Sequence, residues 1–182
     1  MKSVMLSIQP KWCEKIAIGE KTIEVRKTRP KLKTPFKCYI YETNDARFNH
    51  KENKDIAQLA LRLGLEQARG KVIGEFVCDR IEKLEWNNDG YGLLEEKRII
   101  QQSCINEKDL YHYLQGAGYA WHISDLKIYN NQKELCDFRY YVDCENVTKP
   151  CSKCKYSSRE CNGFLCCNNK ITRPPQSWCY VE

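Results

Sequence analysis

Alternating apolar and polar residues predict four β-strands in the first half of the chain. The four stretches are 2–8, 21–27, 36–42 and 71–79, and the last two are rich in Ile, Val, Phe and Tyr. In the second stretch, Ile23 and Val25 share one face, and Thr22, Glu24 and Arg26 share the other. The chain therefore has the sequence signature of half-buried strands.

Helical periodicity predicts helices between these strands. The first helix runs from Pro10, which suits the first helical position, to a stop at Gly19. Further helices are predicted over 54–69 and within 89–104. Another is predicted over 110–115, after a cap at Asn106–Asp109. Mixed helices and strands of this kind predict an α+β fold.

The second half of the chain has shorter strand signals. They lie at Tyr119–Ile123, Leu126–Tyr129 and 140–144, with a turn at 134–138 and an aromatic strand within 173–181. Residues 151–170 are too poor in aliphatic side chains to fold by burial alone. We therefore expect one main domain, 1–143 plus 171–182, and an inserted module at 144–170.

The segment Gly19–Arg26 reads G-x-K-x-x-E-x-R and places two cations and a carboxylate within a few residues. Glu24 and Arg26 share a strand face at a spacing of about 7 Å. Lys21 has the opposite parity, but a helix-to-strand junction can turn its amine toward them. Such a group suits gripping a phosphate or a base edge, or moving protons. The alternative is a solvated strand face carrying an ordinary ion pair.

The motif resembles a known family. Leu6–Trp12 followed by Gly19–Arg26 is similar to the opening of the ASCH domain family, relatives of the PUA RNA-binding fold. The likeness continues through Arg29-Pro30, Tyr39–Tyr41 and Gly70–Phe76. It implies a small mixed β-barrel with flanking helices and a charged cleft, closed by the final strand. The functions that it implies range from RNA binding to hydrolysis of modified nucleosides.

We expect RNA or a nucleotide to bind in an open basic cleft. Lys21 and Arg26 would contact phosphate, and Glu24 would contact a base amino group or orient Lys21. The candidate ligand- or nucleic-acid-binding residues are Ser7, Lys21, Glu24, Arg26, Lys27, Arg29, Tyr41, Trp121 and His122.

Catalysis in the same cleft is the alternative, with Lys21 and Glu24 as acid and base. One branch of ASCH-like proteins hydrolyses N4-acetylcytidine with a lysine, a threonine and a glutamate. Lys21 falls on that lysine, but Glu24 occupies the threonine position, which leaves Thr22 or Ser7 as possible nucleophiles. Another branch resembles a ribonuclease, for which tyrosines on the strands would stabilise the transition state. The sequence leaves enzyme and binder open.

Charge favours a polyanionic partner. The 30 Lys and Arg residues exceed the 24 Asp and Glu residues by six, giving a net charge of +6. Residues 20–37 hold seven cations against two glutamates, and residues 149–173 hold six against one. Two basic zones on an otherwise acidic chain indicate nucleic acid, with solubilising charge as the alternative.

The cysteines of the insertion predict a metal site. The spacing C-x2-C-x6-C-x4-C-C suits structural zinc, and the candidate ligands are Cys151, Cys154, Cys161, Cys166 and Cys167. An iron–sulfur cluster is the alternative cofactor, and Cys144 is an alternative ligand. Cys13, Cys38, Cys78, Cys104 and Cys136 are expected to be buried and inert. A protein-interaction adaptor that uses the zinc module is a third possible function.

No run of 18 apolar residues exists, and the first ten residues lack the apolar stretch of a signal peptide. We therefore expect no membrane partner and a cytoplasmic location.

Overall fold

A computed structural model describes residues 2–45, 64–65, 68–85, 93, 95–141 and 170–182. In this part of the chain, eight strands and three α-helices form a mixed α+β structure with two sheets. The strands are β1 (Ser3–Ile8), β2 (Ile23–Arg26), β3 (Phe36–Glu42), β4 (Lys71–Cys78), β5 (Ile81–Leu84), β6 (Gly118–His122), β7 (Ser124–Glu134) and β8 (Trp178–Val181). The helices are α1 (Pro10–Ala17), α2 (Glu96–Ser103) and α3 (Glu107–Leu114), and a 3₁₀ turn spans Leu135–Asp137.

The larger sheet has the strand order β7-β4-β3-β1-β8. β1 and β3 are parallel, with Leu6 opposite Ile40, and the other neighbouring strands are antiparallel. The final strand β8 pairs with β1, where Leu6 lies opposite Trp178. The final strand therefore returns to the larger sheet, as expected, and forms its edge next to β1.

The smaller sheet has the order β2-β6-β5 and is antiparallel throughout. Glu24 lies opposite Trp121 and Arg26 lies opposite Tyr119. β2 follows α1 after the short turn that Gly19 makes with a φ of +78°. This conformation suits glycine because other residues meet a Cβ clash there.

The expected closure into a barrel is not seen in the described residues, where the strands form two separate sheets. At the edge of β2, the guanidinium of Arg26 donates to the carbonyl of Ser7 in β1 at 2.8 Å. A side chain thus satisfies a backbone acceptor at the point where the two sheets meet. The prediction of flanking helices on an α+β fold is confirmed.

Strand alternation divides the apolar residues into three clusters. The first lies between the two sheets and α1, with Leu6, Ile40 and Trp121 among its buried members. The second joins Ile23 and Val25 of β2 to α2 and α3. The third covers the other face of the larger sheet. Because Ile23 and Val25 face the helices, Glu24 and Arg26 point toward the larger sheet, as their alternation predicts.

The predicted strands at 2–8, 21–27, 36–42 and 71–79 correspond to β1 to β4. α2 lies within the stretch 89–104 that was predicted to contain a helix, and α3 begins directly after its cap at Asn106, three residues earlier than predicted. Asn106 accepts a hydrogen bond from the Asp109 amide, the usual N-cap interaction. Sequence analysis missed β5, because its pattern Ile-Glu-Lys-Leu is short and half charged.

Most of the predicted helix at 54–69 and nearly all of the insertion at 144–170 lie outside the described residues. The chain is described up to residue 141 and again from residue 170. Arg139 and Lys170 form an isolated antiparallel bridge, and Tyr140 bridges to Val181.

Within the described residues, no helix combines the length and the apolar character that crossing a membrane requires.

Candidate functional site

Lys21, Glu24 and Arg26 form a cation–carboxylate–cation triad. The ammonium of Lys21 lies 3.2 Å from Glu24 Oε2, and a guanidinium nitrogen of Arg26 lies 2.9 Å from Glu24 Oε1. One carboxylate therefore binds a different cation through each of its oxygens. The junction after α1 has turned the Lys21 amine toward the strand face that carries the other two residues.

Backbone carbonyls from distant parts of the chain complete the triad. The Lys21 ammonium donates to the carbonyl of Ser103 at 2.7 Å, at the end of α2. Arg26 donates to the carbonyl of Ser7 at 2.8 Å, and to the carbonyl and hydroxyl of Ser177 at 3.2 Å each. The ring of Trp12 lies 5.2 Å from the Lys21 nitrogen, within cation–π range.

The triad is buried, in contrast to the open cleft expected from the sequence. Lys21 is 1% exposed, and Glu24 and Arg26 are each 6% exposed. Charges with this little access to water are retained because each has an opposite charge and further hydrogen bonds. The strand pattern identified the shared face, but it does not specify that a second sheet covers it.

Two buried donors beside the triad have no acceptor among the described residues: Nε of Arg26 and the indole Nε1 of Trp121. Trp121 lies directly opposite Glu24 in the β2–β6 ladder, so its side chain is on the same face as the triad. A buried donor without an acceptor costs about 1–3 kcal/mol. Both N–H groups therefore favour an oxygen or nitrogen acceptor supplied by water or by a ligand. We call Lys21, Glu24, Arg26 and Trp121 the inter-sheet site.

Several buried carboxylates act on Cys13, a core residue of α1. Burial raises the pKa of the Cys13 thiol well above its usual value, and the charges of Glu42, Glu24 and Glu14 raise it further. Glu14 and Glu42 are both buried. The charge of Arg26 opposes this shift but does not outweigh it, so the thiol stays protonated and unreactive.

Of the other predicted binding residues, Ser7 and Trp121 join the triad, whereas Tyr41 and His122 do not. Tyr41 is buried in the cluster on the opposite face of the larger sheet, where burial raises its pKa. Lys27 and Arg29 are exposed in the loop after β2.

His122 lies on the helix-facing side of the smaller sheet. Its Nε2 is 2.9 Å from a carboxylate oxygen of Glu82, which also pairs with Arg80 and Arg98. Burial lowers the pKa of His122, although the Glu82 charge opposes the shift. This network attaches α2 to β5 and β6, so the described contacts of His122 are structural.

The five predicted zinc ligands, Cys151, Cys154, Cys161, Cys166 and Cys167, lie outside the described residues. Within the described ranges, no group of three His, Cys, Asp or Glu side chains is placed to hold a metal ion. Cys13, Cys38 and Cys78 are buried as expected, whereas Cys104 is half-buried and Cys136 is exposed.

Sequence reasoning missed Ser103 and Ser177 as partners of the triad. Ser103 is far from Lys21 in sequence and acts through its carbonyl, so its residue type carries no signal. Ser177 lies just before the predicted aromatic strand, and only the return of that strand to β1 places it near Arg26.

No protein-family model and no curated protein matches the sequence. Solved structures do match the fold. The ASCH protein from Zymomonas mobilis has a TM-score of 0.52 and 18% identity, over 73% of this chain and 73% of that chain. A tyrosine-to-phenylalanine mutant of that protein has a TM-score of 0.51 and 18% identity, over 74% of this chain and 77% of that chain. A serine-to-alanine mutant has a TM-score of 0.50 and 18% identity, over 73% of this chain and 74% of that chain. The chain therefore has the fold of ASCH proteins.

Proposed function

We propose that the chain binds RNA or a nucleotide at the inter-sheet site. The observation that carries this proposal is the pair of buried donors, Arg26 Nε and Trp121 Nε1, beside a triad that includes two cations. Base carbonyls, ring nitrogens and phosphate oxygens are acceptors, so a nucleotide offers these donors suitable partners. The resemblance of the motif to the ASCH family implies the same class of ligand.

Because the triad is nearly closed to solvent, entry of a base requires a neighbouring segment to shift. The best candidate is 173–177, which has no regular secondary structure and precedes β8. It contacts the site through Ser177 and through the carbonyl of Pro175, which accepts a hydrogen bond from Ser7 Oγ at 2.6 Å. Movement of this segment would expose the guanidinium of Arg26 without breaking either sheet.

The contacts favour binding over hydrolysis by a threonine-type nucleophile. Glu24 stands where that nucleophile is expected, and both of its oxygens are paired. The Ser7 hydroxyl already donates to a carbonyl, and Thr22 is exposed, unlike the buried triad. Of the two hydroxyls that the sequence offers in place of the threonine, one is thus engaged and the other is exposed, which favours binding.

Nuclear magnetic resonance of the tryptophan side chains tests the proposal. The chain has four tryptophans, hence four indole N–H signals, which Trp121→Phe and Trp178→Phe variants would assign. On titration with uridine, cytidine and uridine 5′-monophosphate, we expect a saturable shift of the Trp121 signal, because its N–H gains an acceptor.

The indole of Trp178 is the internal comparison, since its N–H already donates to Thr28 Oγ1 at 3.0 Å. Its ring packs against that of Trp121, so its signal should shift with nucleosides but by less than the Trp121 signal. If no probe moves either the Trp121 indole or the Arg26 Nε signal, the inter-sheet site does not bind nucleotides and the proposal fails.

A further inference from the structure

The loop of residues 27–35 between β2 and β3 carries an unusual concentration of positive charge. It holds Lys27, Arg29, Lys31 and Lys33, and no acidic residue. All four side chains are exposed, and none forms a salt bridge within the described residues. Lys37, just beyond the loop, differs because it pairs with Glu75 at 3.2 Å.

Side chains of the final strand hold this loop in place. The hydroxyl of Tyr180 accepts a hydrogen bond from the Lys31 amide at 2.7 Å, and the Trp178 indole donates to Thr28. Leu32 packs against the core between the sheets. The backbone that displays the cations is thus fixed before any ligand arrives, which lowers the entropy cost of binding.

A cavity of about 220 Å³ opens beneath the loop and is lined by Arg29, Leu32, Lys33, Thr34 and Ile81. It is smaller than the roughly 300–1,000 Å³ of pockets that enclose a whole small molecule. Two cations and a threonine suit phosphate oxygens, and the two aliphatic side chains suit a sugar face. The cavity therefore fits one sugar-phosphate unit of a ligand that continues outside it.

This cavity is close to the inter-sheet site along the chain. Arg29 is three residues after Arg26, so their Cα atoms are at most about 11 Å apart. Arg26 contacts Ser177, and the adjacent Trp178 contacts Thr28 at the start of the loop. We therefore expect a short polynucleotide, but not a free nucleoside, to contact both places once the inter-sheet site opens.

We propose that Arg29 and Lys33 form a second binding site, which holds a backbone phosphate of a single-stranded polynucleotide whose base occupies the inter-sheet site. The inference rests on the proposed function and narrows its ligand from a nucleotide to a chain. Cations tracking a backbone beside a base-binding site are typical of single-strand recognition.

The test measures binding of a fluorescent oligouridylate of about ten nucleotides, a length within known single-strand site sizes. Arg29→Ala/Lys33→Ala should weaken binding roughly 10- to 100-fold and reduce the log–log salt slope by about 1.4, the value for two phosphate contacts on a single strand. Lys97→Ala/Lys108→Ala is the matched control. It removes the same charge from exposed positions on α2 and α3 and should leave affinity and slope nearly unchanged.

A second arm uses uridine 5′-monophosphate, and a third uses Arg26→Lys with the oligouridylate. The second site is overturned if Arg29→Ala/Lys33→Ala binds the oligouridylate as tightly as the wild type does. It is also overturned if both double variants lose the same amount of affinity. If Arg29→Ala/Lys33→Ala weakens binding of the monophosphate and of the oligouridylate equally, the proposal is also overturned, since the cavity would then hold a free phosphate ester.

If Arg26→Lys binds the oligouridylate normally while Arg29→Ala/Lys33→Ala does not, the loop site stands and the inter-sheet proposal fails. No binding by the wild type overturns both.

Discussion

The ammonium of Lys21 lies 2.7 Å from the carbonyl oxygen of Ser103, the last residue of α2. A cation at the end of a helix meets unpaired carbonyls and the negative end of the helix dipole. The same amine pairs with Glu24 at 3.2 Å. Lys21 therefore connects α2 to the triad, and its removal has structural as well as functional effects.

Lys21→Met is predicted to destabilise the protein by about 3–5 kcal/mol, because it leaves the buried Glu24 with one cation and Ser103 without its donor. Urea unfolding gives the free energy. Lys15→Met is the control, since the Lys15–Glu20 pair has the closer distance of 2.8 Å but lies on the surface. Its cost should be at most about 1 kcal/mol. Similarly small losses of unfolding free energy in both variants would show that burial does not increase the contribution of the triad to stability.

His122 should make stability depend on pH. Burial lowers its pKa in the folded state, so the unfolded chain takes up this proton more readily as the pH falls. Stability is therefore retained above the unfolded pKa, near 6.5, and lost as the pH falls through the lower folded pKa.

We expect His122→Gln to reduce the difference between urea midpoints measured at about pH 7 and about pH 5, on either side of the unfolded pKa. His112→Gln, at an exposed position on α3, is the control substitution. If the difference between the two urea midpoints is the same in the His122 variant as in the wild type, His122 is not the source of the pH dependence.

The thiols should react in an order set by burial. Burial raises the pKa of Cys78 to about 12, and raises the pKa of Cys13 and Cys38 well above their usual values. Since the thiolate is the nucleophile, these three should resist iodoacetamide in the folded protein, and exposed Cys136 should react early. Peptide mass spectrometry over time gives the order. Early labelling of Cys38 would contradict the described core.

Zinc in the cysteine-rich segment stays a prediction from spacing. We expect one zinc per chain in protein purified without added metal, bound by Cys151, Cys154, Cys161 and either Cys166 or Cys167. Elemental analysis measures it, and Cys151→Ser should lower the zinc content. Iron with visible absorption would favour the cluster instead, and metal-free protein with intact thiols would exclude both.

The N-terminal elements could be predicted because their signals are local. Pro10 and Gly19 bound α1, and alternation separates Ile23 and Val25 from Glu24. Burial of the triad could not be predicted, because it depends on segments far along the chain, such as the one containing Ser103. Trp121 was predicted as a binding residue from its aromatic character. That its N–H has no acceptor among the described residues becomes evident only when the neighbouring side chains are placed.

Arg139 and Lys170 form an antiparallel bridge, so residues 142–169 can be deleted and replaced by a short linker. Paired residues in such a bridge are about 5 Å apart, so Tyr141, two residues farther on, lies roughly 9 Å from Lys170. A flexible linker of about four glycine and serine residues spans the distance from Tyr141 to Lys170. The shortened polypeptide would keep β8 beside β1 and both proposed nucleotide contacts, while lacking every predicted zinc ligand. Comparing it with the full chain would show whether an activity requires the removed residues.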